Sequence, residues 1–294
     1  MRKILVLRGG ALGDFLVTLP ALALLRAGWP GARIELAGNA SAAELARSRG
    51  LLDAVHSQHE ARWVALYETA PLPPDFAAWL ATFDLVVNFW PDPGDEIAGH
   101  FPCCDAQRFL TASALPGRAP AAAHYCEPLR ALGLATEMFC FPLESPGAAS
   151  LRPAPLVAIH PGSGAPRKNW PLDRWAQLCA WLRAAHGAEL LIVAGAAEAP
   201  DLLAGHGRLL RNLPLAALAA QLVRCQLFLG HDSGVSHLAA ACSVPSILLF
   251  GPTDPAMWAP PAPHVQVLRR GLELETISVA EVQAAISQFL ADRT

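Results

Sequence analysis

Charge is scarce in this chain. Only 16% of its 294 residues are Asp, Glu, Lys or Arg, against 53% hydrophobic, a balance that excludes a disordered polyelectrolyte. A net charge of -3 offers no general basic surface for nucleic acid. The seven cysteines are an odd set, with Cys103 and Cys104 adjacent and the others scattered. They cannot pair completely, and no spacing fits a zinc or redox motif, so reduced thiols in a cytosolic protein are expected. HxH, DxD and clustered Cys/His patterns are missing, so no metal is expected. Long apolar runs are missing too, which excludes a membrane-spanning helix. The basic start MRKILVL is interrupted by Arg8 and Asp14 before it reaches the length of a signal-peptide core.

What the chain does have is a rhythm of short apolar runs and helical patterns. Runs at 3–7, 33–37, 54–56, 84–89, 156–160, 189–194, 226–229, 244–250 and 264–268 suit buried parallel strands. Between them, 15–27, 41–49, 171–185, 213–223 and 279–291 carry helical periodicity. Pro20 predicts a kink or late start in the first of these. Stretches 107–114 and 122–132 also read as helical. Alternation of this kind specifies an α/β protein with parallel sheets. The Pro-, Gly- and Ser-rich stretch 135–155 reads as a linker, dividing the chain into domains at 1–150 and 151–294.

Chemistry concentrates in loops that follow strands. RGGALGD, residues 8–14, invites comparison with a dinucleotide-binding turn, with Glu35 about 20 residues on. The match fails because a GxGxxG ending at Gly13 would need glycine where Arg8 stands, and Glu35 falls inside a strand. A nicotinamide-dependent oxidoreductase is therefore the remote alternative. The glycines, Gly13 among them, still let a ligand approach backbone at a helix start. Asp14 then has two open readings: a plain helix N-cap, or a general base near a hydroxyl.

Downstream, HPGSGAPRKNW (160–170) supplies the hydroxyl of Ser163, the bare backbone of Gly164, and Lys168, which is either solvated or within reach of phosphate. Glu198 fits a ribose hydroxyl or a first helical turn equally well. GHDSGVSHLAAA (230–241) is the sharpest pattern: Asp232 or Ser233 caps a helix, Gly234 permits close approach, and His237 follows one turn later. A Ser-His-Asp hydrolase is disfavoured, because these three residues crowd one helix start and GxSxG is absent.

LRGGALGD with Pro20, HPGSGAPRKNWP with Trp175, DSGVSHLAAA and LFGPTDP, in that order, resemble the bacterial heptosyltransferases of glycosyltransferase family 9. The resemblance implies a GT-B arrangement, two Rossmann-like domains with parallel sheets facing across a cleft. It implies inverting transfer of heptose from ADP-heptose to a hydroxyl of a lipopolysaccharide core or related surface glycan, without metal or other cofactor; a GT-B glycosyltransferase using a different nucleotide sugar is the nearer alternative. Asp14 would be the base, and Lys168 would contact donor phosphate. Asp232, Ser233, Gly234 and His237 would surround phosphates and heptose; Glu198 would meet the ribose, and Ser163 and Gly164 would lie by the phosphates. The partners implied are a nucleotide sugar and a glycan or glycolipid acceptor. A cytoplasmic monomer touching the inner membrane at most peripherally is expected. The first half offers only scattered Arg62, Arg108, Arg118 and Arg130, so an acceptor less charged than a phosphorylated one is expected.

Overall fold

A computed structural model describes residues 1–143, 154–196, 198–199 and 203–291. The chain forms two compact units, Met1–Phe141 and Pro142–Thr294. The expected boundary at 150/151 lies outside the described residues, as does the middle of the expected linker.

In the first unit, β1 (Lys3–Arg8), β2 (Arg33–Gly38), β3 (Ala54–Ser57), β4 (Leu85–Asn88) and β5 (Arg108–Thr111) form a parallel sheet in the order β3-β2-β1-β4-β5. The central strand β1 is buried from Ile4 to Arg8, which is why it reads as an uninterrupted apolar run rather than an alternating one. The helical pattern at 15–27 resolves into α1 (Leu12–Leu16) and α2 (Leu19–Gly28), with Pro20 in the first turn of α2, where its missing N–H costs no helical bond. The helices α3 (Ala40–Arg47), α4 (Pro74–Leu80) and α5 (Ala121–Cys126) complete the unit. The helical reading of 107–114 is wrong. Arg108–Thr111 pairs with β4 in register Leu85↔Arg108 to Asn88↔Thr111. An edge strand of four residues carries too little pattern to be distinguished from a helical turn, and pairing decides it.

In the second unit, β6 (Leu156–Ile159), β7 (Glu189–Ala194), β8 (Arg208–Arg211), β9 (Leu227–His231), β10 (Ser246–Phe250) and β11 (Val265–Arg269) form a parallel sheet ordered β11-β10-β9-β6-β7-β8. The strand β8, RLLR, was not anticipated; it lies at the sheet edge and is half polar. The helices are α6 (Leu172–His186), α7 (Leu215–Leu222), α8 (Gly234–Ala241), α9 (Pro255–Trp258) and α10 (Val279–Ala291). A core of Ile159, Trp170, Trp175, Leu178, Leu229, Leu249 and Ile286 joins α6 and α10 to one face of the sheet.

Both sheets reverse direction once. In the first, the chain winds outward from β1 through β2 to β3, then crosses to β4 and β5. In the second it winds from β6 through β7 to β8, then crosses to β9, β10 and β11. The loops leaving β1 and β4, and those leaving β6 and β9, therefore diverge and leave a crevice at each switch point, where doubly wound sheets bind ligands.

Candidate functional site

At the first switch point, β1 empties into Gly9 and Gly10. Gly10 has φ +101°, and a Cβ there would lie 2.7 Å from both Cβ and Oδ2 of Asp14, so glycine is required for Asp14 to fold back over the turn. Asp14 is not the N-cap; Ala11 holds that position. From the third position of α1, the carboxylate Oδ2 accepts the Ala11 N–H at 2.9 Å, while Oδ1 stands 3.7 Å from Arg8 Nη2. Its side chain remains 42% exposed. Gly13 sits beside it in α1.

Arg8, the residue that spoils the dinucleotide motif, is buried and fixes this loop. Its Nε and Nη2 donate to the Asp14 carbonyl at 3.0 and 2.7 Å, Nη1 donates to the Ala114 carbonyl at 3.3 Å, and the guanidinium packs 4.4 Å from the Tyr125 ring centre. The buried Glu35 is unavailable to a ribose. Arg33 Nε donates to it at 2.8 Å, His56 lies 2.7 Å away and Lys3 Nζ 3.5 Å away. Burial works to raise its pKa, but hydrogen bonds from His56 and Arg33 prevail and hold it below the usual carboxylate range.

The second switch point is denser. Lys168, from the loop after β6, donates to Asp232 Oδ2 at 2.8 Å, from the loop after β9. The two side chains are 24% and 11% exposed. Ser233, not Asp232, is the N-cap of α8: its Oγ accepts the Ser236 N–H at 3.3 Å. Gly234 is the first residue of that helix, and His237 follows on its next turn, half-buried, with its N–H donating to the Ser233 carbonyl at 3.3 Å. The first amides of α8 thus start beside an ammonium group, an arrangement suited to an anion.

Two histidines absent from the sequence-based site tie these pieces together. His160 Nδ1 lies 3.2 Å from Ser233 Oγ, and its Nε2 lies 3.7 Å from Glu198 Oε1. Glu198 also accepts the Gly195 N–H at 2.7 Å. The neighbouring His160 is the larger cause of its lowered pKa, which burial opposes and the Gly195 amide reinforces. A Cβ at 162 would fall 2.2 Å from Glu198 Oε1, so any larger residue there would push the Glu198 side chain out of its present position. His231 is fully buried; Nε2 accepts the Trp170 N–H at 2.9 Å and Nδ1 faces the Gly162 carbonyl at 3.4 Å. Burial pushes its pKa down to about 3, so it is a neutral bolt across the loops after β6 and β9.

Lys168, Asp232, Ser233, Glu198, Gly234 and His237 therefore gather around the loops after β6, β7 and β9. Ser163 belongs to the same loop but turns its hydroxyl inward, lying 2.6 Å from Asn169 Oδ1 and 2.8 Å from the Ala165 carbonyl. Gly164 is exposed, with open space where a Cβ would stand. The sequence pattern around His160 and His231, HPG and GHDS, contained their only signal; each lies at a strand end beside a residue already suspected.

Fold and site define a doubly wound α/β protein with an open carboxylate at one switch point and a Lys–Asp pair beside a capped helix start at the other. A sequence profile of glycosyltransferase family 9 (heptosyltransferase) matches residues 132–283, just over half of the chain. Lipopolysaccharide heptosyltransferase 1 of Pseudomonas aeruginosa is 36% identical over 105 residues, a stretch covering 34% of this chain and 29% of that protein's length. A glycosyl transferase family 9 structure from Veillonella parvula shares the fold, with TM-score 0.80 at 19% identity over 99% of this chain and 97% of that one. The E. coli heptosyltransferase WaaC with ADP gives TM-score 0.73 at 18% identity over 98% and 99% of the two chains. The chain belongs to glycosyltransferase family 9, the heptosyltransferase family.

Proposed function

We propose that this protein is an inverting glycosyltransferase that moves a heptose from ADP-heptose to a hydroxyl of a lipopolysaccharide core or related surface glycan. The observation that carries the proposal is the Lys168–Asp232 pair beside the Ser233-capped start of α8, at a switch point that Glu198 also faces. ADP is the ligand named for the E. coli relative, and the matched relative from P. aeruginosa is a lipopolysaccharide heptosyltransferase.

In this reading the Asp14 carboxylate takes the proton of the acceptor hydroxyl as its oxygen attacks the anomeric carbon. A new glycosidic C–O bond forms while the bond to the β-phosphate oxygen breaks, in one displacement that inverts the centre. The leaving ADP gains negative charge, which Lys168 and the α8 amides stabilise. Glu198 accepts from a ribose hydroxyl, and His160 orients Glu198 and the Ser233 hydroxyl together. Arg8 holds the Asp14 backbone in place. Asp232, Gly234 and His237 face the heptose and phosphates, with Ser163, Gly164 and Gly13 supplying nearby backbone and a hydroxyl.

Among the described residues, no group of three His, Cys, Asp or Glu is arranged to hold a metal, and no helix is long and apolar enough to cross a membrane. The proposal gives charge stabilisation to the protein's own groups, and it includes a cytoplasmic monomer that meets the inner membrane only peripherally. Thermal-shift titration with a panel of sugar nucleotides tests the donor. ADP-heptose should give the largest shift; a larger shift with another nucleotide sugar would reassign it. Turnover retained in EDTA is expected for the metal-free route, and its loss, restored by a divalent ion, would contradict it.

A further inference from the structure

A cavity of ≈ 470 Å³ opens beside the Asp14 loop, lined by Gln58, Glu60, Trp63, Val64, Tyr67 and Trp90 among others. Gln58 ties the two together. Its Oε1 accepts the Gly10 N–H at 3.2 Å, and a Cβ built on Gly9 would lie 3.1 Å from that oxygen and 3.3 Å from Trp90 Nε1. The cavity and the turn that carries Asp14 thus share a wall.

The aromatic lining is fixed rather than adaptable. Trp63 meets Trp90 edge to face with ring centres 5.4 Å apart, packs edge-on to Phe76 and Trp79 at 5.6 and 5.9 Å, and donates its indole N–H to the Ser57 carbonyl at 2.8 Å. Val64 and Tyr67 line the same space while 60% and 44% exposed.

Its charge is equally informative. The lining includes Glu60 and His59 but neither Lys nor Arg. The adjacent Arg62 is occupied: Nη2 lies 2.8 Å from Glu60 Oε2 and 2.9 Å from His56 Nδ1, and the guanidinium packs 4.6 and 4.5 Å from the ring centres of Trp63 and Trp79. A second cavity that also uses Trp90 and Pro91 adds Asp92 and Asp95 and again no cation. A phosphate or carboxylate placed here would lose water and gain carboxylate neighbours, with no Lys or Arg to offset the loss and the His59 imidazole as the one basic group in the lining. A neutral pyranose fits better, because its C–H face packs on rigid aromatic edges while its hydroxyls meet Gln58 and Glu60.

We propose that this cavity is the acceptor subsite and that it takes an uncharged sugar ring, so that the acceptor residue next to the attacked hydroxyl is a neutral, unphosphorylated sugar. The assignment rests on the reading of Asp14 as base. Saturation-transfer NMR with methyl α-mannoside and with mannose 6-phosphate, on wild type, Tyr67→Ala and Val64→Ser, tests the cavity without turnover. The neutral glycoside should receive saturation at its ring C–H protons and bind about tenfold more tightly than the phosphate, a step of about 1.4 kcal/mol, and both variants should weaken it. In transfer assays Tyr67→Ala should raise the acceptor KM with the KM for ADP-heptose unchanged. Equal or tighter binding of the phosphate, or an unaltered acceptor KM in Tyr67→Ala, overturns the assignment. Glycoside binding that responds to the variants but no heptosyl transfer would instead overturn the transferase reading and leave the cavity's preference for neutral sugar standing.

Discussion

The two switch points are built oppositely. In the second unit, charged site groups already have partners from within the unit: Lys168 is on Asp232, and Glu198 is beside His160. In the first, Asp14 is 42% exposed, with its nearest cation at 3.7 Å. In the proposed function a diphosphate would compete with Asp232 for an ammonium group already in place. A base must instead remain open to its substrate. The proposed function assigns donor binding to a cradle in the second unit and proton abstraction to the first.

The largest effect that would break this contrast belongs to Asp14. Asp14→Asn should lower kcat by about 10²–10⁴-fold, the usual worth of a general base, with the ADP-heptose thermal shift preserved. Equal loss of donor binding would mean that Asp14 belongs to the cradle. Next comes Lys168→Met, expected to cost about 10²–10³-fold in kcat/KM, as for removal of one charge-stabilising donor. Lys168→Arg should recover part of that loss, and steady-state kinetics on both variants decide it.

How much of this was legible in the sequence follows from the same contrast. The central strands β6, β9 and β10 are buried throughout and β1 from Ile4 onward, and they announce themselves as unbroken apolar runs. The edge strands β5 and β8 are short and half-polar, so the first read as helix and the second as loop. Lys168, Asp232 and Ser233 were visible because loops at strand ends carry their chemistry in sequence. Their pairing was not, since 64 residues separate Lys168 from Asp232. The roles of Arg8 and His231 were hidden for the same reason: each acts through a backbone group that only the folded chain brings near.

The pH dependence sharpens the account of the cradle. His231 has a folded pKa of about 3, far below the ordinary value. The unfolded chain therefore takes up a proton near pH ~6.5 that the folded chain refuses. The resulting stability is fully present above pH ~6.5 and is lost as pH falls toward 3. Thermal melts of wild type against His231→Phe should show this part of the acid sensitivity only in wild type. At neutral pH His231→Phe should itself cost about 1–3 kcal/mol, because the buried Trp170 N–H loses its acceptor.

The smallest effect belongs to Glu198→Gln. It should raise the donor KM by about tenfold or less, because Gln keeps an acceptor oxygen and loses only the charge on one hydrogen bond, with kcat little changed. Glu198's lowered pKa keeps it ionised to below the ordinary carboxylate range. Its contribution to wild-type stability is thus present above pH ~4.3 and declines as pH falls through the lowered value. Melts of the Gln variant should lack that decline.

Calorimetric titration of ADP into wild type, Asp14→Asn and Lys168→Met tests the division of labour most directly. ADP should bind wild type and Asp14→Asn with the same Kd, and Lys168→Met at least about tenfold more weakly. An unchanged Kd in Lys168→Met, or a weakening in Asp14→Asn as large as that in Lys168→Met, would contradict it.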